Sequence, residues 1–510
     1  MFSTVRHAAR LMHIGYVLAR HDALFPFEHP MAPAGVRWAA IAARRAFRAK
    51  DLPERPGVRL AAALTALGPS FIKLGQTLST RADVFGPDVA DDLAELQDRL
   101  PPFPSEIAFA TIETELGKPV AALFSEISAQ PVAAASIAQV HFARTTEGED
   151  VAVKVLRPGI EAAFERDIAL FRFLAGLVWR FSPKGRRLRP IDVVQAFADT
   201  VRAEMDLRLE AAAATELSEN FIDEPMFRAP AIDWVRTGRR VLTLEKVAGA
   251  RVDDVEKLDA FGHDRQAIMR IAAHAFFRQV FEHGFFHADM HPGNVFVRPD
   301  GGLVAIDFGI VGRLDQTTRD YLADMLFGML TRDFELVADV HFRAGYVRAD
   351  QSRAAFAQAC RSIAEPILGK PLHEISLGRL LQQLFQITET FQMETQPQLL
   401  LLQKTLLMAE GMGRRLDPTV NMWSLAQPLI EGWMREHRGP EARVAAILSD
   451  AADAAMRLPR ALSLIERAAE EAELQRTQER ASASEPFKRR FTLYGAIALA
   501  VAGWALYLLD

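Results

Sequence analysis

Residues 287–309 read HADMHPGNVFVRPDGGLVAIDFG, and few chain paths accommodate them. VFV at 295–297 and LVAI at 303–306 flank the turn sequence RPDGG, so the spacing predicts an antiparallel hairpin. Pairing residue 297 with 303 sets Asn294 opposite Ile306, with Asp307 next, which brings Asn294 and Asp307 to one end beside the loop carrying Asp289. Two carboxylates and an amide oxygen are hard ligands that suit Mg²⁺ with phosphates better than zinc. A zinc helix with His287 and His291 on one face is opposed by Pro292, which disfavours the α conformation at His291, and by Gly293 after it. A polar turn without chemistry is the other alternative. The order D-x4-N and then D-F-G is that of kinase-type phosphoryl transfer, where one Asp sits at the nucleophile and the Asn and second Asp hold metal.

Such a site needs a lysine on an upstream strand and a carboxylate to hold it. The segment PVAAASIAQVHFARTTEGEDVAVKVL at 131–156 alternates apolar residues on either side of a polar turn, a hairpin signature, and VAVK places Lys154 on its second strand. A single helix over AEMDLRLEAAAA at 203–214 offers Glu204, Asp206 and Glu210. Asp206 and Glu210 share a face and Glu204 points elsewhere, but spacing does not choose Lys154's partner. The glycine-rich loop expected before the lysine is replaced by AAASIAQVH at 133–141. Alanine resists positive φ, so this loop cannot wrap phosphates as closely as glycine does.

At 510 residues and half apolar, the chain has material for two or three structural units with a real core. A net charge of −5 offers no global field for nucleic acid, and Cys360, the single cysteine, excludes an internal disulfide framework. Phe2, Val5, Ala9, Met12 and Tyr16 recur at helical spacing, which predicts an amphipathic N-terminal helix packed inward rather than a transit peptide or membrane-surface helix. At the other end, residues 491–509 carry no charge and reach about 28 Å as a helix, which predicts a single transmembrane span. Tyr494, Trp504 and Tyr507 suit the interfaces, and Lys488, Arg489 and Arg490 keep the preceding globular part in the cytoplasm. Residues 55–125, 160–222, 263–284 and 316–485 read as helical, and RVLTLEKVAG at 240–249 as a strand.

KLGQ at 73–76, AAASIAQVH, VAVK, EMDLRLEAA, HADMHPGN and DFG together resemble the UbiB family of atypical kinase-like ATPases, linked to ubiquinone biosynthesis, over residues of about 60 to 430. The resemblance implies ATP and Mg²⁺ as cofactors. It implies that Lys154 contacts the α/β-phosphates with Glu210 as its helix partner, that Asp289 is the catalytic base, and that Asn294 and Asp307 hold Mg²⁺. Val132, Ala133, Ala134, Ala135, Ser136, Ile137, Ala138, Gln139 and Val140 become the nucleotide loop, and the backbone around Glu245 to Val247 meets adenine. Lys73, Gly75 and Gln76 form the family's KxGQ element, which lies over the site and meets Glu204 and Asp206.

The expected fold is α+β, an atypical protein-kinase-like two-lobe fold with an N-terminal helical extension (1–125), a small β-containing N-lobe (126–249) and a larger helical C-lobe (250–467). A stalk and tether (468–490) and a transmembrane helix (491–509) follow. The expected function is a membrane-anchored kinase or ATPase of the bacterial inner membrane that supports ubiquinone synthesis by acting on or extracting lipid-like intermediates. Its partners are membrane lipids, quinone-like intermediates and ubiquinone-biosynthesis enzymes, with no nucleic acid. Two rivals stand beside it. One is a small-molecule kinase of the aminoglycoside or choline type, which uses a similar Asp-x-His-Pro-x-Asn loop but which the KxGQ element and terminal span oppose. The other is a nucleotide-binding pseudokinase scaffold, which intact Lys154, Asp289, Asn294 and Asp307 oppose.

Overall fold

Prolines and glycines cut the N-terminal segment into short helices: α1 (Phe2–Arg20), α2 (Ala34–Phe47), α3 (Pro56–Leu67), α4 (Pro69–Ser79) and α5 (Pro87–Ala94). The break between α3 and α4 is at Gly68, whose φ of 104° few side chains tolerate, and Pro69 then opens α4 with its missing N–H at a position that needs none. Leu60, Leu64, Leu67, Phe71 and Ile72 meet Val17, Leu18 and Leu93 in one core, which anchors α4 from behind. This computed structural model describes residues 2–438 apart from 26–33, 51, 80–85, 95–100, 182–189, much of 367–396 and 418–421. The chain divides into units Met1–Glu431 and Gly432–Asp510, and the account below concerns the first. The expected stalk and the apolar segment 491–509 lie outside the described residues. Among the described residues no helix is long and apolar enough to cross a membrane.

The small lobe begins with α6 (Ser105–Leu116) and builds a sheet from β1 (Phe124–Ile127), β2 (Ala133–Ala134), β3 (Ala138–Thr145) and β4 (Asp150–Leu156). Helices α7 (Ile160–Phe181), α8 (Pro190–Glu204) and α9 (Leu207–Asn220) follow, then β5 (Phe227–Arg228) and β6 (Val241–Glu245). The sheet order is β1-β3-β4-β6, antiparallel, with β2 added to β3. Period-two alternation along β4 sends Val151, Val153 and Val155 to one face, against Ala108 and Ile112 of α6. Leu156 and Leu242 face the other way, against Phe164, Ile168, Phe197 and Leu207 of α7 to α9. Lys154 shares that second face.

One expectation is corrected here. The helix read over 203–214 is two helices, because α8 ends at Glu204 and α9 starts at Leu207. Asp206 stands between them as the N-cap of α9, its carboxylate accepting the Arg208 N–H at 3.2 Å. Capping acidic residues compete with helix continuation for backbone donors, so the break follows from Asp206 itself.

The larger lobe holds β7 (Ala250–Arg251), α10 (Arg265–Phe277), β8 (Phe285–His287), β9 (Val295–Val297), β10 (Leu303–Ala305) and β11 (Val311–Arg313). It continues with α11 (Gln316–Leu330), α12 (Phe334–Arg343), α13 (Arg353–Ala364) and α14 (Pro397–Leu416), and α15 (Met422–Arg438) carries the chain past Glu431 into the second unit. Val297 pairs with Leu303, the register that the turn sequence predicts, and the Ile306 N–H donates to the Asn294 carbonyl at 2.8 Å. β5 pairs in parallel with β10, and β8 pairs with β11. α10 runs on through a π-helical turn, Arg278–Glu282, before Gly284 turns the chain into β8. Gly284 has a φ of 61°, and a Cβ there would lie 2.4 Å from the Leu314 carbonyl oxygen, so the turn has no room for a side chain.

Candidate active site

Lys154 projects from the middle of β4, flanked in the sheet by Val140 and Leu242. Its ammonium reaches both oxygens of Glu210, at 2.8 and 2.9 Å, and Oδ1 of Asp307 at 3.0 Å. Of the three acidic residues that spacing left open, Glu210 is therefore the one that meets Lys154. Glu210 lies one turn into α9, so the Asp206 cap that starts the helix also sets Glu210's direction. Burial pushes the Glu210 carboxyl up to about 7, against the pull of Lys154. Lys154 is the main cause that holds Asp307 down at about 2, with Lys73 adding to it. Burial alone would lower the Lys154 pKa, but the two carboxylates raise it.

Asp307 is one of few non-glycine residues with positive φ, at 64°. A short polar side chain tolerates that region at modest cost, and it turns the carboxylate off the end of β10 toward Lys154. The preceding loop is held by His287, which is buried. Its Nε2 lies 2.9 Å from the Ile306 carbonyl, and its Nδ1 accepts the Asp289 N–H at 3.1 Å, so one neutral tautomer satisfies both partners. Burial lowers the imidazole pKa and keeps that tautomer. Both ring nitrogens are thus committed to backbone. His291 is extended, with ψ of 143° before Pro292, and its Nδ1 accepts the Gly293 N–H at 3.1 Å. A shared helical face for the two histidines does not exist.

The Asn294 side-chain amide donates to the Asp289 carbonyl at 3.0 Å, which leaves its Oδ1 as the atom available to a cation. With the Asp307 carboxylate across the hairpin end, this small oxygen set fits Mg²⁺, which takes few protein ligands and keeps water or phosphate oxygens for the rest.

Lys73 of α4 pairs with Glu204 at the end of α8, at 2.8 Å, and Gly75 is buried beside it. Asp206, the other acidic residue expected there, turns to Arg208, its carboxylate accepting from the guanidinium at 2.7 and 2.9 Å. Gln76 lies on the same helix. The alanine-rich segment is a hairpin in which the Ala135 N–H donates to the Ala138 carbonyl at 2.8 Å, and Arg157 donates to the Ala135 carbonyl at 2.9 and 3.0 Å. No residue from Val132 to Val140 has positive φ. Ser136 and Gln139 are buried, and the Gln139 side-chain Oε1 accepts the Phe103 N–H at 3.0 Å. Farther along, the Glu245 and Lys246 amides donate to Ala231 and Asp150, and the Glu245 carboxylate is taken by Arg228 at 2.5 and 2.6 Å.

Two residues escaped the sequence reading. Arg157 braces the alanine-rich loop from three residues past Lys154. Lys404, on α14, donates to Asp289 Oδ1 at 2.9 Å. Its signal was visible as one charge inside LLLLQKTLLM, but only the folded chain shows that α14 lies next to the 287–294 loop.

A family model described as an ABC1 atypical kinase-like domain matches residues 95–341, and one described as a UbiB helical domain matches 360–421. A probable protein kinase UbiB of Marinobacter nauticus is 44% identical over 437 residues, 84% of this chain and 79% of that protein. One of Pseudomonas fluorescens is 43% identical over 439 residues, 85% of this chain and 82% of the relative. Among solved structures, the complex of Rv3197 with erythromycin from Mycobacterium tuberculosis is similar with a TM-score of 0.53 and 25% identity, over 73% of this chain and 95% of that one.

Proposed function

The chain belongs to the UbiB family of atypical kinase-like proteins, and on that premise we propose that it binds Mg-ATP beside the Lys154–Asp307 pair and moves the terminal phosphoryl group to water or a small acceptor. The observation that carries this reading is the Lys154 ammonium, gripped by Glu210 and shared with Asp307. That arrangement holds a fixed positive charge at the cleft wall, which is what the α- and β-phosphates need. Mg²⁺, when bound, would supply neutralisation of phosphate charge. Asn294 and Asp307 would hold it with the free oxygens described above. Asp289 would take the acceptor's proton, its backbone N–H fixed by His287. The Ala133 to Ala138 hairpin would cover the phosphates at a greater distance than a glycine loop, and the backbone at Glu245 to Val247 would meet the adenine. Lys73, with Gly75 and Gln76, would close the cleft from α4. The Lys73–Glu204 pair ties α4 to the end of α8 just before Glu210's helix, a placement that favours a small or lipid-like acceptor, or water, over a polypeptide.

In this reading the protein supports ubiquinone biosynthesis by acting on or extracting lipid-like intermediates for partner enzymes. It does so at the bacterial inner membrane, held there by residues 491–509 with its globular part cytoplasmic. The test is ATP turnover by the purified full chain in detergent, with and without added phospholipid and quinone-like lipid. Mg²⁺-dependent turnover that responds to lipid is expected. Absence of turnover together with intact nucleotide binding would favour the scaffold role instead.

A further inference from the structure

Three lysines from three segments each hold a carboxylate around this cleft. Lys154 of β4 sits on Glu210 and Asp307, Lys73 of α4 on Glu204, and Lys404 of α14 on Asp289. The first two belong to motifs already discussed. Lys404 does not: it comes from the stretch matched as the UbiB helical domain, outside the kinase-like domain match at 95–341. Inside the 287–294 loop both histidines are turned to backbone: His287 Nε2 lies 2.9 Å from the Ile306 carbonyl and its Nδ1 accepts the Asp289 N–H, while His291 Nδ1 accepts the Gly293 N–H.

We propose that Lys404 is a further catalytic residue, whose ammonium meets the terminal phosphoryl group of the nucleotide beside Asp289. This rests on the phosphoryl-transfer reading above. The 2.9 Å contact places Nζ within one hydrogen bond of the carboxylate that would receive the acceptor's proton. An oxygen attacking phosphorus must approach that carboxylate, so the phosphoryl oxygens come within reach of the same ammonium. Both side chains are only partly covered, with 27% and 32% of their surface exposed, so Nζ is not sealed away from the cleft. In the step itself the acceptor oxygen, from water or an alcohol, forms a bond to the terminal phosphorus. The bond from that phosphorus to the bridging oxygen breaks, its electron pair leaving with the nucleoside diphosphate, and the acceptor proton passes to Asp289. Lys404 keeps its proton throughout and offsets charge on the equatorial oxygens.

The charge on α14 then makes the helical domain part of the active site. A kinase-like lobe folded without α14 would hold the nucleotide but lack this cation.

The experiment compares wild type, Lys404→Met and Lys404→Arg as full chains in detergent. It measures affinities for Mg-ADP and for a non-hydrolysable Mg-ATP analogue by calorimetry, and Mg-ATP turnover. Lys404→Met is expected to keep ADP affinity within about 2-fold while losing about 10- to 100-fold in analogue affinity or turnover, the range for a lost charge-assisted hydrogen bond. Lys404→Arg should recover part of that loss. Retained ADP affinity shows that the variant is folded. An equal loss of affinity for both nucleotides, no change in either analogue affinity or turnover, or faster turnover on removing Lys404 would overturn the assignment; the last would mean that the ion pair restrains Asp289. Wild type that binds neither nucleotide would sink the underlying reading, and this assignment with it.

Discussion

Removing the Lys154 ammonium should destabilise the protein by an amount that depends on pH, and the structure sets where. Glu210 is buried, with 8% of its side chain exposed, and its pKa stands near 7 even with Lys154 at 2.8 Å. In the unfolded chain the same carboxyl titrates near 4.5. A carboxyl whose folded pKa is raised takes up a proton on folding, so its contribution to stability is complete below about 4.5 and declines until about 7. Above that pH the wild-type contribution is flat. In Lys154→Met the Glu210 pKa rises further, because burial and the Asp307 charge are no longer opposed, and the decline continues past 7. The penalty of the substitution therefore grows above pH 7 by at most about 1.4 kcal/mol per pH unit. Its ceiling is about 3–5 kcal/mol, the usual cost of breaking a buried ion pair. Near pH 6 both proteins carry mostly protonated Glu210, so the penalty there is the lost pairing with Asp307 and the part due to Glu210 should be small. Urea denaturation followed by tryptophan fluorescence at pH 6, 7, 8 and 9 measures this directly, and the double variant Lys154→Met/Glu210→Gln should abolish the growth. An equal penalty at pH 6 and pH 9 would refute the reasoning, since it would mean that Glu210 stays ionised without its partner.

Asp307→Asn should remove most Mg²⁺-dependent stabilisation by ATP in a thermal-shift assay while leaving the apo melting temperature within a few degrees; equal stabilisation of both proteins would deny Asp307 a metal role. Ala135→Gly should change ATP or ADP affinity, because it frees the backbone whose carbonyl Arg157 now holds. The exposed helical control Ala212→Gly should cost up to about 1 kcal/mol without touching nucleotide preference. Truncation before Lys488 should release folded protein from membranes, whereas the full chain should resist carbonate extraction; full-length protein found wholly in the soluble fraction would end the transmembrane expectation.

The local register of the site was legible in the residues alone. The RPDGG turn and its flanking strands determined which residue faces which, so Asn294 and Asp307 had to meet at the hairpin end once Val297 paired with Leu303. The β4 alternation that points Lys154 away from Val153 and Val155 is likewise a property of sequence period. Tertiary structure alone decided which carboxylate serves Lys154, because spacing separates Glu204 from Asp206 and Glu210 without choosing a partner, and Asp206 is spent as the cap of α9. The left-handed backbone at Asp307, the Arg157 brace under Ala135 and the reach of Lys404 to Asp289 are of the same kind. The last two join residues 22 and 115 positions apart. Sequence periodicity encodes which face of an element is apolar, but the distance between elements is set by how their buried faces pack, and charge pairs across a cleft exist only after that packing is complete.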